Sequence, residues 1–421
     1  MPVSDRAAIL EKAVHSLESR TAEIAHLVTS QMGLPITLSQ QAIPNAFTAT
    51  RFFMAIAADV LSPDLRPGAT SAVVLKEPVG VVAAIAPWNG PFHMAMGKLI
   101  PALLAGCSVV FKPAPETPLD AYLLVSALLE AGVPAGVVNL VTGGRETGDA
   151  LVRHPMVDKV SFTGSTAAGR VIGEVCGRDF KRVTLELGGK SAAIVLEDAD
   201  LAASLPGLAA GGFFNPGQAC VAYSRVLAPK ARYDEVVGAV VAAAESFALG
   251  DPFDTGTTMG PLVAERQRQR VEGYLATGRS EGALVATGGG RPDEPEHGWY
   301  VQPTVFTGVD NSMTIAREEI FGPVVSVIPY TGEEEAIRIA NDSDYGLHGA
   351  VFTSDDESAL RVASAVRTGT FSVNSFTVNV EAPFGGVKSS GVGRDSGREA
   401  LESFVELKTV NLTPSLVQRF S

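Results

Sequence analysis

Three residues combine a reactive type with a setting that could use it. Cys220 closes Asn215-Pro216-Gly217-Gln218-Ala219-Cys220, a turn-rich, small-residue approach of the kind that presents a side chain at a cleft. Most lone cysteines in an apolar chain are core residues, and Cys107 in LLAGCSVVF and Cys176 in a helical stretch fit that pattern. A thiolate at Cys220 would be a nucleophile. Glu186 places a single carboxylate inside the apolar strand Thr184-Leu185-Glu186-Leu187, followed by Gly188, Gly189 and Lys190. Burying that charge is costly unless it is paired, for instance by Lys190, or functional, and burial raises a carboxyl toward the range of a general base. Asn89 stands in Pro87-Trp88-Asn89, where the strand VGVVAAIA ends, so its amide could donate to a developing oxyanion or simply make the turn with Gly90 and Pro91.

A second group of residues suits a nucleotide. Ser161-Phe162-Thr163-Gly164-Ser165 follows a strand and opens a helix, whose free N–H groups attract phosphate, although Ser165 would equally serve as a helix cap. Lys112 ends the strand SVVF within reach of a ribose or phosphate. The run Gly288-Gly289-Gly290 lacks a following Lys-Ser/Thr and reads as a solvated loop. The 3 cysteines and 6 histidines have no metal-ligand spacing, so neither a disulfide framework nor a metal site is expected.

These groups need a scaffold, and its texture is legible. Residues 5–31 and 41–60 carry apolar positions at helical spacing. From Val73 onward short apolar runs alternate with helical stretches at 92–105, 118–132, 147–154 and 166–177, implying βαβ units and a mostly parallel, doubly wound sheet. Such sheets bind ligands at the carboxyl ends of their strands, where strand order reverses. After about Gly189 the habit repeats, with strands near 223–228, 301–305, 324–329 and 349–353 and helices near 231–248, 264–277 and 355–366, predicting a second α/β domain. Residues 403–412 alternate like an edge strand available to another subunit. The chain has 421 residues, 46% hydrophobic and 19% charged, which excludes a disordered or fibrous protein. A formal charge of −13 disfavours nucleic acid and anionic membranes as partners, and no apolar run is long enough to span a bilayer, so a cytoplasmic protein is expected.

Together the residues resemble the aldehyde dehydrogenase superfamily from about Arg6 to the C-terminus. The resemblance rests on PWNGPFH (87–93), KPAPETP (112–118), SFTGSTAAG (161–169), LELGGK (185–190), NPGQAC (215–220), EEIFGPV (318–324), NDSDYGL (341–347) and PFGGVKSSGVGRDSG (383–397), in the family's order and spacing. It implies two Rossmann-like α/β domains plus a small β oligomerisation extension. The dinucleotide-binding part would be 1–62 and 79–190, the catalytic part 191–398, and the oligomerisation strands and tail 63–78 and 399–421. The implied chemistry is attack of the Cys220 thiolate on an aldehyde, an oxyanion held by Asn89 and the Cys220 N–H, hydride transfer to NAD, and hydrolysis of the thioester by water activated by Glu186. This requires a thiol more acidic than a free cysteine. Lys98 and Asp395 match positions near the base that carry the proton outward. The implied cofactor set is Trp88, Lys112, Glu116, Gly164, Ser165, Gly188, Glu319 and Phe321, with Lys112 at the adenosine ribose, Ser165 near the pyrophosphate, Glu319 at the nicotinamide ribose and Phe321 against the nicotinamide.

Departures from the family pattern sharpen the expectations. Pro115 stands where many NAD-preferring relatives carry a ribose-binding glutamate, with Glu116 one residue later, which predicts NAD as the acceptor with NADP tolerated. Gly97 replaces a bulky aromatic, and with Met94, Ala219, Val221 and Phe384 it predicts a wide apolar pocket for aromatic or medium-chain aldehydes. The chain begins several dozen residues later than usual family members, which predicts a thinner cover over the cofactor domain. A homodimer or tetramer is expected. Two alternatives have specific markers: CoA-acylating semialdehyde dehydrogenases lack the glutamate that Glu186 supplies, and a catalytically silent, crystallin-like member would not need Cys220, Glu186 and Asn89 intact.

Overall fold

In a computed structural model, which describes residues 1–419, the strands form three sheets. The first has six strands in the order Val138–Leu140, Ser108–Lys112, Val81–Ile85, Lys159–Thr163, Arg182–Glu186 and Gly391–Val392. All neighbours are parallel except the last pair. The chain moves outward from Val81–Ile85 on one side, then returns to Lys159–Thr163 on the other, so strand order reverses between those two. Side chains alternate across this sheet as the pleat demands. Ala83, Ile85, Val160, Phe162 and Leu185 join the core under helices Arg145–Arg153 and Thr166–Arg178, while Val82, Ala84, Val109 and Phe111 join the core on the other face.

That other face is covered by helix Pro91–Ala105, helix Leu119–Glu130 and the N-terminal helices. The first of the N-terminal helices, Val3–Glu18, buries Leu10, Ala13, Val14 and Leu17, one stripe at helical spacing. The sequence pattern reads residues 5–31 as one helix, but the chain breaks at Ser19 and Arg20 and resumes as Thr21–Met32; a third helix runs Ile36–Val60, starting earlier than the pattern at 41–60. Gly33, at φ 80, separates the last two. The earlier start arises because tertiary packing continues a helix past its weakly periodic end.

The second sheet has seven strands ordered Leu284–Thr287, Thr304–Thr307, Val324–Tyr330, Arg225–Pro229, Ala192–Val195, Gly349–Phe352 and Ser372–Val373. All pairs are parallel except the first. The third is an arm in which Ala72–Pro78 pairs with Asp64–Arg66 and with the tail strand Val405–Asn411, both antiparallel. The tail strand therefore finds one partner within its own chain and keeps its other edge unpaired.

Candidate active site

The strand-order reversal in the first sheet leaves two strand ends facing a common space. Val81–Ile85 delivers Pro87, Trp88 and Asn89, and Lys159–Thr163 delivers Thr163, Gly164 and Ser165. Thr163 lies at a junction, lining both an apolar cavity of about 310 Å³ and a groove of about 650 Å³.

The cavity gathers Asn89, Glu186 and Cys220, together with Met94, Gly97, Ala219, Val221 and Phe384. Three segments bring the first three together. Two side-chain carboxamides lock two of them: Asn89 Nδ2 donates to the Gln218 carbonyl at 3.0 Å, and Asn215 Nδ2 donates to the Asn89 carbonyl at 3.0 Å. Gln218, fully buried, accepts at its own Oε1 from the Val263 N–H, tying the Cys220 approach to the segment that leads into helix Glu265–Ser280. Gly217 turns this segment at φ 66, and a Cβ there would sit 2.0 Å from the Gly322 carbonyl oxygen. The glycines after Glu186 have a packing reason too, since a Cβ on Gly189 would lie 2.2 Å from the Cys220 carbonyl oxygen.

The electrostatics are those of a dry carboxylate site. Both Glu186 carboxyl oxygens are buried without a hydrogen-bond partner, and Lys190 does not satisfy them, because its own Nζ is also unpaired. Burial, reinforced by Asp395, holds the Glu186 carboxyl well above its ordinary range, against the opposing pull of Lys98 and Arg394. Lys98 does not line the cavity. It lies one layer behind, 1% exposed, paired to Asp395 Oδ2 at 3.0 Å and donating to Ser161 Oγ at 3.2 Å. Asp395 does reach the cavity wall and is held there by a backbone bridge to Phe384.

Cys220 differs from expectation. Its thiol is pushed up to about 12, first by burial and then by the Glu319 and Glu186 carboxylates, although the backbone N–H groups of Cys220 and Val221 pull the other way. The chain alone thus holds a neutral thiol rather than an activated thiolate. The turn residues before Cys220 carry no trace of the two carboxylates that oppose its ionisation, which converge only in three dimensions.

The groove is lined by Trp88, Lys112, Glu116, Gly164 and Ser165 of the sequence-derived cofactor set. Glu319 and Phe321 lie instead in a small space shared with Ala219 and Gly189, from which the Glu319 carboxylate acts on the Cys220 thiol. Glu319 Oε1 accepts from the Gly189 N–H at 2.9 Å, and its carboxylate fills the space a side chain on Gly188 would need. Phe321 meets Trp88 edge to face at 5.3 Å, which joins the two regions. Ser165 caps helix Thr166–Arg178, its Oγ accepting from the Ala168 N–H at 3.3 Å, so its structural role is realised at the groove wall. Glu116 is ion-paired with Arg266, which reaches across from helix Glu265–Ser280.

Sequence reasoning missed a large part of the cavity wall. Val28, Met32 and Ile43 from the N-terminal helices, Leu34 from the link between two of them, and Phe376, Val378 and Val380 from the loop after Ser372–Val373 all face it. The helical residues carry no distinguishing signal, because an apolar stripe looks the same whether it meets a core or a cavity. Among the described residues no cluster of His, Cys, Asp or Glu could hold a metal, and no helix is long and apolar enough to cross a membrane.

Comparison with known proteins agrees with this geometry. The family model described as "Aldehyde dehydrogenase family" matches residues 1–410. A geranial dehydrogenase from Castellaniella defragrans is 48% identical over 411 residues, covering 97% of this chain and 85% of that protein. A 3-succinoylsemialdehyde-pyridine dehydrogenase from a Pseudomonas species is 43% identical over 408 residues, covering 96% and 85%. Among solved structures, a Mycobacterium tuberculosis aldehyde dehydrogenase complexed with NAD+ superposes with a TM-score of 0.95 at 46% identity, covering 98% of this chain and 86% of that one. With a family match over nearly its whole length, and with thiol, carboxylate and carboxamide on one cavity beside a switch-point groove, the chain belongs to the aldehyde dehydrogenase family.

Proposed function

We propose that this aldehyde dehydrogenase oxidises apolar aldehydes of aromatic or medium-chain, branched type, with Cys220 as nucleophile, Asn89 as oxyanion donor, Glu186 as the base that activates water, and NAD as acceptor. The observation that carries the reading is the convergence of Cys220, Glu186 and Asn89 on one predominantly apolar cavity adjoining the groove.

The groove suits a dinucleotide. It lies where strand order reverses, the N-terminus of helix Thr166–Arg178 opens onto it, and Lys112, Arg145 and Arg266 offer cationic groups for phosphate and ribose oxygens. Ser165, Gly164 and Lys112 would hold the adenosine and pyrophosphate part, and Glu319, Phe321 and Trp88 the nicotinamide end. When bound, the oxidised dinucleotide supplies a positive ring and a two-electron acceptor. The Mycobacterium tuberculosis neighbour and a Staphylococcus aureus betaine aldehyde dehydrogenase were both solved with NAD+, which supports NAD here. Glu116 is neutralised by Arg266 and Pro115 carries no carboxylate. A 2′-phosphate therefore meets little repulsion, and NADP is tolerated.

The chain's own residues account for the acyl chemistry. Loss of the Cys220 proton to water gives the thiolate, whose attack on the aldehyde carbon moves the C=O π pair onto oxygen and forms a thiohemiacetal oxyanion; that oxygen accepts from the second amide hydrogen of Asn89 and from the Cys220 backbone N–H. After oxidation to the thioester, Glu186 takes a proton from water as the water oxygen attacks the acyl carbon; the C–S bond then breaks and the acid leaves. Glu186 suits this because its oxygens are bonded to nothing else. The arm gives the chain a surface for assembly, with Leu407 and Val410 exposed on its outer strand, and supports a homo-oligomer.

The wall composition and the geranial dehydrogenase relative support the substrate class. A panel of geranial, benzaldehyde, hexanal, acetaldehyde and betaine aldehyde, with NAD and NADP, tests it by absorbance of the reduced cofactor. The first three should lead in kcat/KM, and NADP should not exceed NAD by more than about tenfold, or roughly 1.4 kcal/mol. A preference for acetaldehyde or betaine aldehyde overturns the substrate assignment. Gly97 should set the pocket width, since a Cβ there would meet nothing within 4 Å. Gly97→Phe is expected to lower kcat/KM for geranial and benzaldehyde by roughly 10–200-fold while sparing acetaldehyde.

A further inference from the structure

The first sheet contains a polar stripe that neither its fold nor the cavity explains. Buried parallel strands read as continuous apolar runs, yet one face of two adjacent strands here carries Lys159, Ser161 and Thr163 opposite Arg182, Thr184 and Glu186. The register pairs Ser161 with Thr184 and Thr163 with Glu186. The intervening residues Val160, Phe162 and Leu185 point to the opposite core, so the polar side chains face helix Pro91–Ala105 and its Lys98. Lys159, Ser161, Thr184, Glu186 and Lys98 are all at most 3% exposed. Two sets of contacts span it: Lys98 Nζ donates to Asp395 Oδ2 and Ser161 Oγ, and Lys159 Nζ donates to Thr184 Oγ1 at 2.9 Å, while the strand register sets Thr184 opposite Ser161 and Asp395 shares the cavity wall with Glu186.

The stripe starts at the catalytic carboxylate, at the carboxyl end of its strand, and finishes at the amino end of the neighbouring strand. The four steps from Thr163 to Lys159 span about 13 Å at ~3.3 Å per residue. There Lys159 lies under the Phe404 ring, 4.8 Å from its centroid, next to the exposed Arg182–Glu406 ion pair. This matters because Glu186 must lose its proton each cycle while an acyl chain fills the cavity and a dinucleotide fills the groove beyond Thr163. Both openings are then closed.

We propose that Lys159 is the outer station of a proton exit that leaves Glu186 through the sheet, by way of Asp395, Lys98, Ser161 and Thr184, and emerges at the base of the arm. The proposal rests on the assignment of Glu186 as base. Each hydroxyl accepts one proton and passes on another, Lys159 takes the last in its neutral form, and it then releases that proton to solvent beside Glu406. Burial lowers Lys159 to about 8, so a neutral fraction exists near physiological pH. The charged and titratable groups acting on it are Asp395, which raises it, and Lys98 and Arg182, which lower it, with Cys107, Cys176 and Glu406 also in electrostatic range.

An activated ester, p-nitrophenyl hexanoate, used with saturating reduced dinucleotide so that both openings are closed, isolates the relevant step because it acylates the thiol without hydride transfer. The p-nitrophenolate burst reports acylation of Cys220 and the steady phase reports deacylation. In Lys159→Met and Lys159→Arg the burst should be unchanged and the steady rate should fall at least roughly tenfold, short of the ~10²–10⁴ expected for losing the base itself. Wild-type deacylation should rise with pH through the region near 8, as neutral Lys159 becomes available, and both variants should lose that rise. Thr184→Val should show the same altered profile with a smaller loss, which keeps the test available should Lys159→Met fail to fold. Arginine keeps the charge but cannot pass a proton at these pH values. A normal steady rate in Lys159→Arg therefore assigns a structural charge and overturns the relay, as does a steady rate within about twofold of wild type in both lysine variants. A wild-type protein with no burst, or a burst that survives in Cys220→Ala, defeats the acyl-enzyme assignment itself and with it the relay.

Discussion

Cys220→Ala is expected to reduce aldehyde oxidation by on the order of 10⁵-fold or more, a loss of about 7 kcal/mol of transition-state stabilisation, because no other group can form the acyl adduct. Cys107 and Cys176 cannot substitute, since both are buried and raised by burial, and neither lines the cavity. The same geometry makes a second measurement informative. With the thiol pushed up to about 12 in the protein alone, the thiolate fraction grows tenfold for each pH unit below that value. Alkylation of the dinucleotide-free protein by iodoacetamide should therefore be slow at neutral pH and climb without a plateau from pH 6 to 9. Mass spectrometry should find one adduct, on Cys220. Adding oxidised dinucleotide should accelerate the reaction, because a positive ring beside the sulfur offsets the two carboxylates that oppose ionisation. A plateau below pH 8 in the protein alone, or turnover surviving in the alanine variant, contradicts this account.

Glu186→Gln should separate the two halves of the cycle. The amide keeps the shape of the carboxyl but cannot accept a proton from water, so one equivalent of reduced dinucleotide should form rapidly and steady turnover should then fall by roughly 10²–10⁴-fold. The sign of the pH effect follows from the raised carboxyl. A base must be ionised, and its ionised fraction grows as pH rises through a value held above the ordinary carboxylate range by burial and Asp395. Deacylation in the wild type should thus fall on the acid side of that value, and the glutamine variant should lose this limb. If the burst vanishes as well, Glu186 acts before hydride transfer, most simply by taking the Cys220 proton.

The identities of the reactive groups were legible in the chain because they stand in short ordered motifs, and the doubly wound architecture was legible because parallel strands and covering helices impose different periods. Cys220, Glu186 and Asn89 needed no structure to be singled out, and the strand ends that carry Asn89 and Thr163–Ser165 followed from alternating elements. Folding decided what motif and period do not encode. The N-terminal stripe of Val28, Met32 and Ile43 became cavity wall rather than closed core, and the carboxylates of Glu186 and Glu319 met around a thiol that each of them opposes. Lys159, Ser161 and Thr184 formed a polar seam only once their strands lay side by side. The physical reason is one of range: hydrogen-bonding period and turn chemistry act over a few residues and leave a trace in the sequence, whereas desolvation and Coulomb interactions depend on distances between segments far apart in the chain.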